Sequence, residues 1–125
     1  VGGAVDRSGN VRCGEAALTK IYIAGPMTGI EELNFPLFNA ESARLRALGW
    51  EVVNPAEVQP DKSAQWIDCM LADIPALMAC DYLALLPGWE NSKGARIEHC
   101  IALNHSMNVL MASDIVWPVA PEATC

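Results

Sequence analysis

Two acids fall on apolar helical faces. Glu98 lies in the run Gly94-Ala95-Arg96-Ile97-Glu98-His99-Cys100-Ile101-Ala102, and on a helix its neighbours three and four positions away are Gly94, Ala95, Ile101 and Ala102. A carboxylate on such a face has space beside it and little water around it, so ionisation is disfavoured until a partner or ligand compensates. That suits a nucleophile or a proton carrier; the plain alternative is a glutamate reaching solvent at the edge of a packing face. Asp73 sits at the rim of a stripe formed by Trp66, Met70 and Leu77. It is either a second acid of the same crevice or the cap of a turn restarted after Pro75, whose ring removes a backbone N–H.

Two loops could hold a ligand for these acids. Gly25-Pro26-Met27-Thr28-Gly29 is bounded by glycines but lacks both the G-x-G-x-x-G fingerprint and the lysine of a P-loop. Asn91-Ser92-Lys93-Gly94 combines a capping hydroxyl, a cation and free N–H groups at the positive end of a helix dipole. An anionic ligand group fits there; an ordinary helix cap explains the same residues.

The elements that must position these groups follow from hydrophobic period. Apolar runs at Ile21–Ala24, Trp50–Val53, Asp81–Leu86 and Met107–Met111 read as strands, and the segments 35–48, 64–79 and 92–104 read as helices, the first stopped by Gly49. Strands alternating with helices predict an α/β fold: one open, mainly parallel sheet of four to five strands, flavodoxin-like or Rossmann-like, with helices on both faces and right-handed crossovers. Near-continuous apolar strands agree with burial on both sides. In such a sheet the ligand crevice lies beyond the carboxyl ends of the strands, which selects the loops after Ala24, Val53 and Leu86. The domain is expected over residues 19–112, between a loose tail at 1–18 without signal-peptide character and a C-terminal tail at 113–125.

Composition narrows the ligand. The 125 residues are 52% hydrophobic and carry a net charge of −7 with no cluster of Lys or Arg. That balance repels a phosphate backbone, so neither polymeric nucleic acid nor a membrane is an expected partner, and a small molecule is. The five cysteines have no C-x-x-C spacing. They read as free thiols of a reducing, cytoplasmic compartment. His99-Cys100 points in diverging directions on a helix and has no matching pair, so no metal is expected, and no cofactor motif is present.

With these residues in place, the sequence resembles the nucleoside 2-deoxyribosyltransferase superfamily, which includes the deoxynucleoside 5′-monophosphate N-glycosidases, and most of all a phage and bacterial branch of unknown function. The resemblance rests on Ile21-Tyr22-Ile23-Ala24-Gly25-Pro26, on Asp73 before Cys80-Asp81, and on Ser92-Lys93-Gly94-Ala95-Arg96-Ile97-Glu98, in that order, and covers residues 19–111. It implies that Glu98 is the nucleophile at the anomeric carbon, that Asp73 assists departure of the base, and that the Tyr22 hydroxyl orients Glu98. It also implies that Gly25, Gly29, Ser92 and Gly94 line the sugar or phosphate end, with Pro26, Met27, Thr28, Asn91 and Lys93 beside them. The nucleotide-cleaving members carry an arginine in the loop after the first strand, where this sequence has Met27-Thr28, leaving Arg96 or Lys93 to replace it. Members also complete the site from a neighbouring subunit's C-terminal region, which implies a homodimer or higher homo-oligomer; residues 114–125 hold no clear counterpart.

The functional expectation is cleavage or transfer at the N-glycosidic bond of a deoxynucleoside or its monophosphate, through a glycosyl-Glu98 intermediate. The alternatives are a nucleotide sensor that binds without turnover and a small structural or interaction protein. Release of free base from a substrate panel separates the three.

Overall fold

A computed structural model describes residues 19–119, so the expectation for the segment 1–18 lies outside the described residues. Four strands form one all-parallel sheet in the order β2-β1-β3-β4: β1 (Lys20–Ala24), β2 (Glu51–Val53), β3 (Tyr82–Leu85) and β4 (Asn108–Met111). Four helices connect and flank them: α1 (Phe35–Ala47), the single turn α2 (Pro55–Val58), α3 (Trp66–Met78) and α4 (Lys93–Asn104). Tyr22 pairs with Val53 on one side and Leu83 on the other, so β1 is central.

Alternation along β1 divides the core into two layers. Ile21 and Ile23 pack with Phe35, Phe38 and Leu45 of α1 and with Trp50, Ala84 and Leu86. Tyr22 and Ala24 face the opposite layer, with Leu77 of α3, Ala95 and Ala102 of α4, and Leu83 and Leu85. Period two in the strands therefore sends Tyr22 toward the helices that carry the two acids. α1 ends as the sequence predicts: Gly49, at φ +98°, is followed by Trp50, whose N–H reaches the Leu45 carbonyl, while the Gly49 N–H reaches that of Arg46.

Three features add to the sequence reading. Pro75 does not break its helix; α3 runs through it to Met78, the lost hydrogen bond and the crowding of the ring being offset by the buried Met70 and Leu77, which hold both halves against the core. Asp73 is thus an interior helical residue and not a cap. The turn α2 escaped the periodic reading because it is too short to show a period. It begins at Pro55 and is capped by Asn54, whose side chain accepts from the Ala56 N–H at 3.0 Å. Finally, the chain just after β4 is anchored: Ile115 is fully buried, and Arg44 donates to the carbonyls of Ala112 and Ile115 at 2.7 and 2.5 Å. Among the described residues no helix is long and apolar enough to cross a membrane.

Candidate active site

The strand order reverses between β1, which is followed in sequence by β2 on one side, and β3 on the other. The carboxyl ends of these two strands open a crevice there, as the topology requires. Gly25 ends β1 at a point of close approach: a Cβ on it would stand 2.7 Å from the Leu86 Cβ. Glycine is needed there by contact with Leu86, just after β3, and not by its own torsion.

A pocket of about 160 Å³ fills the crevice. Its walls come from the loop after β1 (Gly25, Met27, Thr28 and Leu33), from α3 (Trp66, Cys69, Met70 and Asp73) and from the start of α4 (Ser92, Gly94, Ala95 and Glu98). A second depression, lined by Pro26, Met27, Thr28, Trp66, Asn91, Ser92, Lys93 and Gly94, adjoins it through the shared Met27, Thr28, Trp66, Ser92 and Gly94. Gly94 keeps the joint open, since a Cβ there would lie 3.3 Å from the Met70 sulfur and 3.4 Å from the Trp66 indole nitrogen.

Both acids are buried, Asp73 at 7% and Glu98 at 5% exposure. The Tyr22 hydroxyl donates to Glu98 Oε2 at 2.5 Å, a charge-assisted length if the carboxyl is ionised. Loss of water pushes Glu98 up to about 8, against the opposing pull of the Tyr22 hydrogen bond and with help from the nearby Asp73. Asp73 is raised to about 6 by burial. Its Oδ1 is buried with no hydrogen-bond partner. Tyr22 itself is held well above the ordinary phenol range by burial and then by the charges of Glu98 and Asp73, so it remains a donor. The site therefore contains two carboxyls with separated proton affinities and one orphan acceptor.

At the start of α4, the Ser92 hydroxyl accepts from the Ala95 N–H at 3.2 Å as an N-cap. Lys93 extends over the Trp66 ring, 4.3 Å from its centroid. The ordinary cap is therefore present, and the cation stands on the outer depression beside it. Arg96, the other candidate cation, is exposed and lines neither cavity.

Most of the residues selected from sequence converge here. Tyr22 reaches the site through Glu98, and Gly25, Pro26, Met27, Thr28, Asn91, Ser92, Lys93 and Gly94 line one or both cavities. Gly29 does not: it is exposed, at φ +84°, in the turn that follows Thr28. Sequence reasoning missed Leu33, Lys62 and Cys69 as wall residues. Cys69 was within reach, lying four positions before Asp73 on one helical face; Leu33 and Lys62 sit in irregular segments where no period points inward.

The fold and site define a parallel α/β domain with a carboxylate-lined pocket at its topological switch point. The chain belongs to the family described as domain of unknown function DUF4406, which matches residues 19–111. No curated protein sequence matches it.

Proposed function

We propose that this protein cleaves or transfers at the N-glycosidic bond of a 2-deoxynucleoside or its 5′-monophosphate, in the manner of the nucleoside 2-deoxyribosyltransferases. The observation that carries the reading is the Tyr22–Glu98 hydrogen bond in a pocket that also holds the unpartnered Asp73 oxygen. A retaining glycosidic cleavage needs two carboxyl groups, one attacking and one carrying a proton. Glu98 attacks the anomeric carbon as the bond to the base breaks, and the proton of Asp73 passes to the departing base. Water or an acceptor base then attacks the glycosyl ester, giving its proton to Asp73 and releasing Glu98.

Burial favours the protonated form of both carboxyls, of Glu98 at about 8 more than of Asp73 at about 6. A bound nucleoside reverses that preference. A base nitrogen accepts from protonated Asp73, while positive charge developing at the anomeric carbon favours an ionised Glu98 that already receives the Tyr22 hydroxyl. The outer depression, with Ser92, Lys93 and Thr28, takes the sugar's 5′ side. A homo-oligomer fits the exposed Ile67, Leu71 and Met78 on α3, at 55%, 66% and 48% exposure.

The test is incubation with a panel of deoxynucleosides and their monophosphates, followed for free base, with Glu98→Ala as the control. Base release that is absent from the variant supports the reading. A protonated Glu98 also favours a sensor that binds without turnover. Binding with no base released from any member of the panel would replace the enzyme by that sensor.

A further inference from the structure

The two acids are exposed at only 7% and 5% and are reached through a pocket of about 160 Å³, so the movement of its walls governs what can enter. β1 is fixed by buried side chains in both core layers, and α3 and α4 by those of the layer they share with Tyr22. The remaining walls are the segment between α2 and α3, which contributes Lys62, and the strap between β1 and α1. Residues 28–32 of that strap are all exposed, and its 3₁₀ turn Glu31–Asn34 contains no buried residue. Its backbone is strained as well: Glu32, Leu33 and Asn34 follow one another at φ 52°, 53° and 62°. The left-handed region is disfavoured for every residue with a Cβ, and a run of three non-glycine residues there persists only while something holds it.

Two side-chain ties do so. Asn34 Nδ2 donates to the Pro26 carbonyl at 2.9 Å, closing the strap on its own base. Lys62, from the segment between α2 and α3, meets Glu32 Oε1 at 3.4 Å and stands 5.3 Å from the centre of the Phe35 ring. Lys62 and Leu33 line the same pocket, one from each side of its mouth.

We infer that Glu32 and Lys62 form a latch that holds the strained strap, with Leu33 as its roof, over the carboxylate pocket, and that release of the latch admits the ligand. The inference rests on the reading of this pocket as a ligand site but not on the reaction performed there. An exposed ion pair is weak and is screened by salt. Opening is therefore frequent, and the strained turn favours it.

The strap's own amides report on it without any ligand. The Leu33 N–H bonds the Ile30 carbonyl at 2.9 Å, and the Phe35 N–H bonds that of Glu32. In the full chain, Lys62→Met and Glu32→Gln should each speed hydrogen exchange at these two amides by about two- to fivefold, measured by NMR. The charge swap Glu32→Lys with Lys62→Glu should return the rate toward that of the parent. Lys20→Met, which removes the exposed Lys20–Glu51 pair at the opposite end of β1, should leave it unchanged. Alkylation of Cys69 by a bulky maleimide, followed on its own peptide, should rise with the exchange, because Cys69 lies on the pocket wall. Unaltered exchange in both single variants, or no recovery in the swap, would overturn the latch. Faster exchange with unchanged Cys69 alkylation would overturn the lid. None of these readouts requires turnover, so failure of the proposed reaction leaves them intact.

Discussion

Tyr22 and Glu98 are joined by a 2.5 Å hydrogen bond although they come from the central strand and the last helix, 76 positions apart. The link requires two periods to agree. Alternation along β1 sends Tyr22 to the α3–α4 side, and the α4 face bearing Ala95 and Ala102 sends Glu98 inward to meet it. The small alanines bring the helix close enough for a phenol to span the gap, and the sheet supports the ring so that its hydroxyl is fixed. Such a donor stabilises a carboxylate more than a carboxylic acid.

Tyr22→Phe removes that donor and little volume. Hydrogen bonds to charged groups contribute roughly 1.5–3 kcal/mol, so base release should fall by about ten- to a hundredfold. The Glu98 carboxyl should rise further, because the opposing pull on it is gone. The rate profile should then move to higher pH, while ligand affinity changes much less. A profile superimposable on the parent's would remove Tyr22 from the chemistry.

The buried acids make the fold itself pH-dependent. A carboxyl whose folded value is raised binds a proton more tightly in the native state than in the unfolded chain, so its contribution is intact at low pH and is lost as pH rises. For Asp73 the loss runs from about 3.8 to about 6, and for Glu98 from about 4.5 to about 8. Moving Asp73 across that interval costs roughly 3 kcal/mol once the pH exceeds 6. Asp73→Asn and Glu98→Gln should therefore melt higher than the parent at pH 8 and lose that advantage near pH 4. Thermal unfolding at the two pH values measures this; a constant difference would show that neither acid is ionised against its environment.

The parts of this arrangement that were legible in the sequence are those with a period. The four strands, the three longer helices and the inward faces of Asp73 and Glu98 all follow from spacings of two or of three and four. Pro75 left Asp73 open between an acid and a cap, because a proline removes a backbone N–H and can restart a turn, whereas packing carries the helix through it. Leu33 and Lys62 were invisible for a different reason. Their position depends on a left-handed turn built without glycine and on an ion pair spanning 30 positions, and neither has a local signature.

The two close-packed glycines should respond differently to alanine. Gly25→Ala places a Cβ 2.7 Å from the Leu86 Cβ, inside the core, and something must shift. Overpacking of that kind costs about 1–3 kcal/mol, so the melting temperature should drop. At Gly94 the neighbours are the Met70 sulfur at 3.3 Å and the Trp66 indole nitrogen at 3.4 Å, and alanine is the better helix former. Gly94→Ala should hold or raise stability while weakening ligand binding, because the methyl narrows the joint between the two cavities. Unchanged affinity in that variant would place the ligand entirely on one side of the joint.

Asp73 offers the sharpest separation of chemistry from architecture. As a general acid it is needed only while the leaving group requires a proton, and losing such an acid typically costs about a hundredfold to ten-thousandfold. Asp73→Asn should be impaired to that extent on a natural base, yet far less on a deoxyriboside carrying nitrophenolate, which departs as a stable anion. A variant damaged in folding or in packing of α3 would slow both substrates alike, and the position of Asp73 inside the continuous helix excludes a cap as the source of the defect. The pH profile supplies a second reading of the same point. With the parent, reaction through a singly protonated pair gives a bell between about 6 and 8, since both carboxyls are protonated below it and both ionised above it. In Asp73→Asn acting on the nitrophenyl substrate the alkaline limb should disappear, because no acid remains to be lost, and activity should persist as Glu98 ionises. Equal impairment on both substrates, or an alkaline limb that survives, would leave Asp73 without a role in proton transfer.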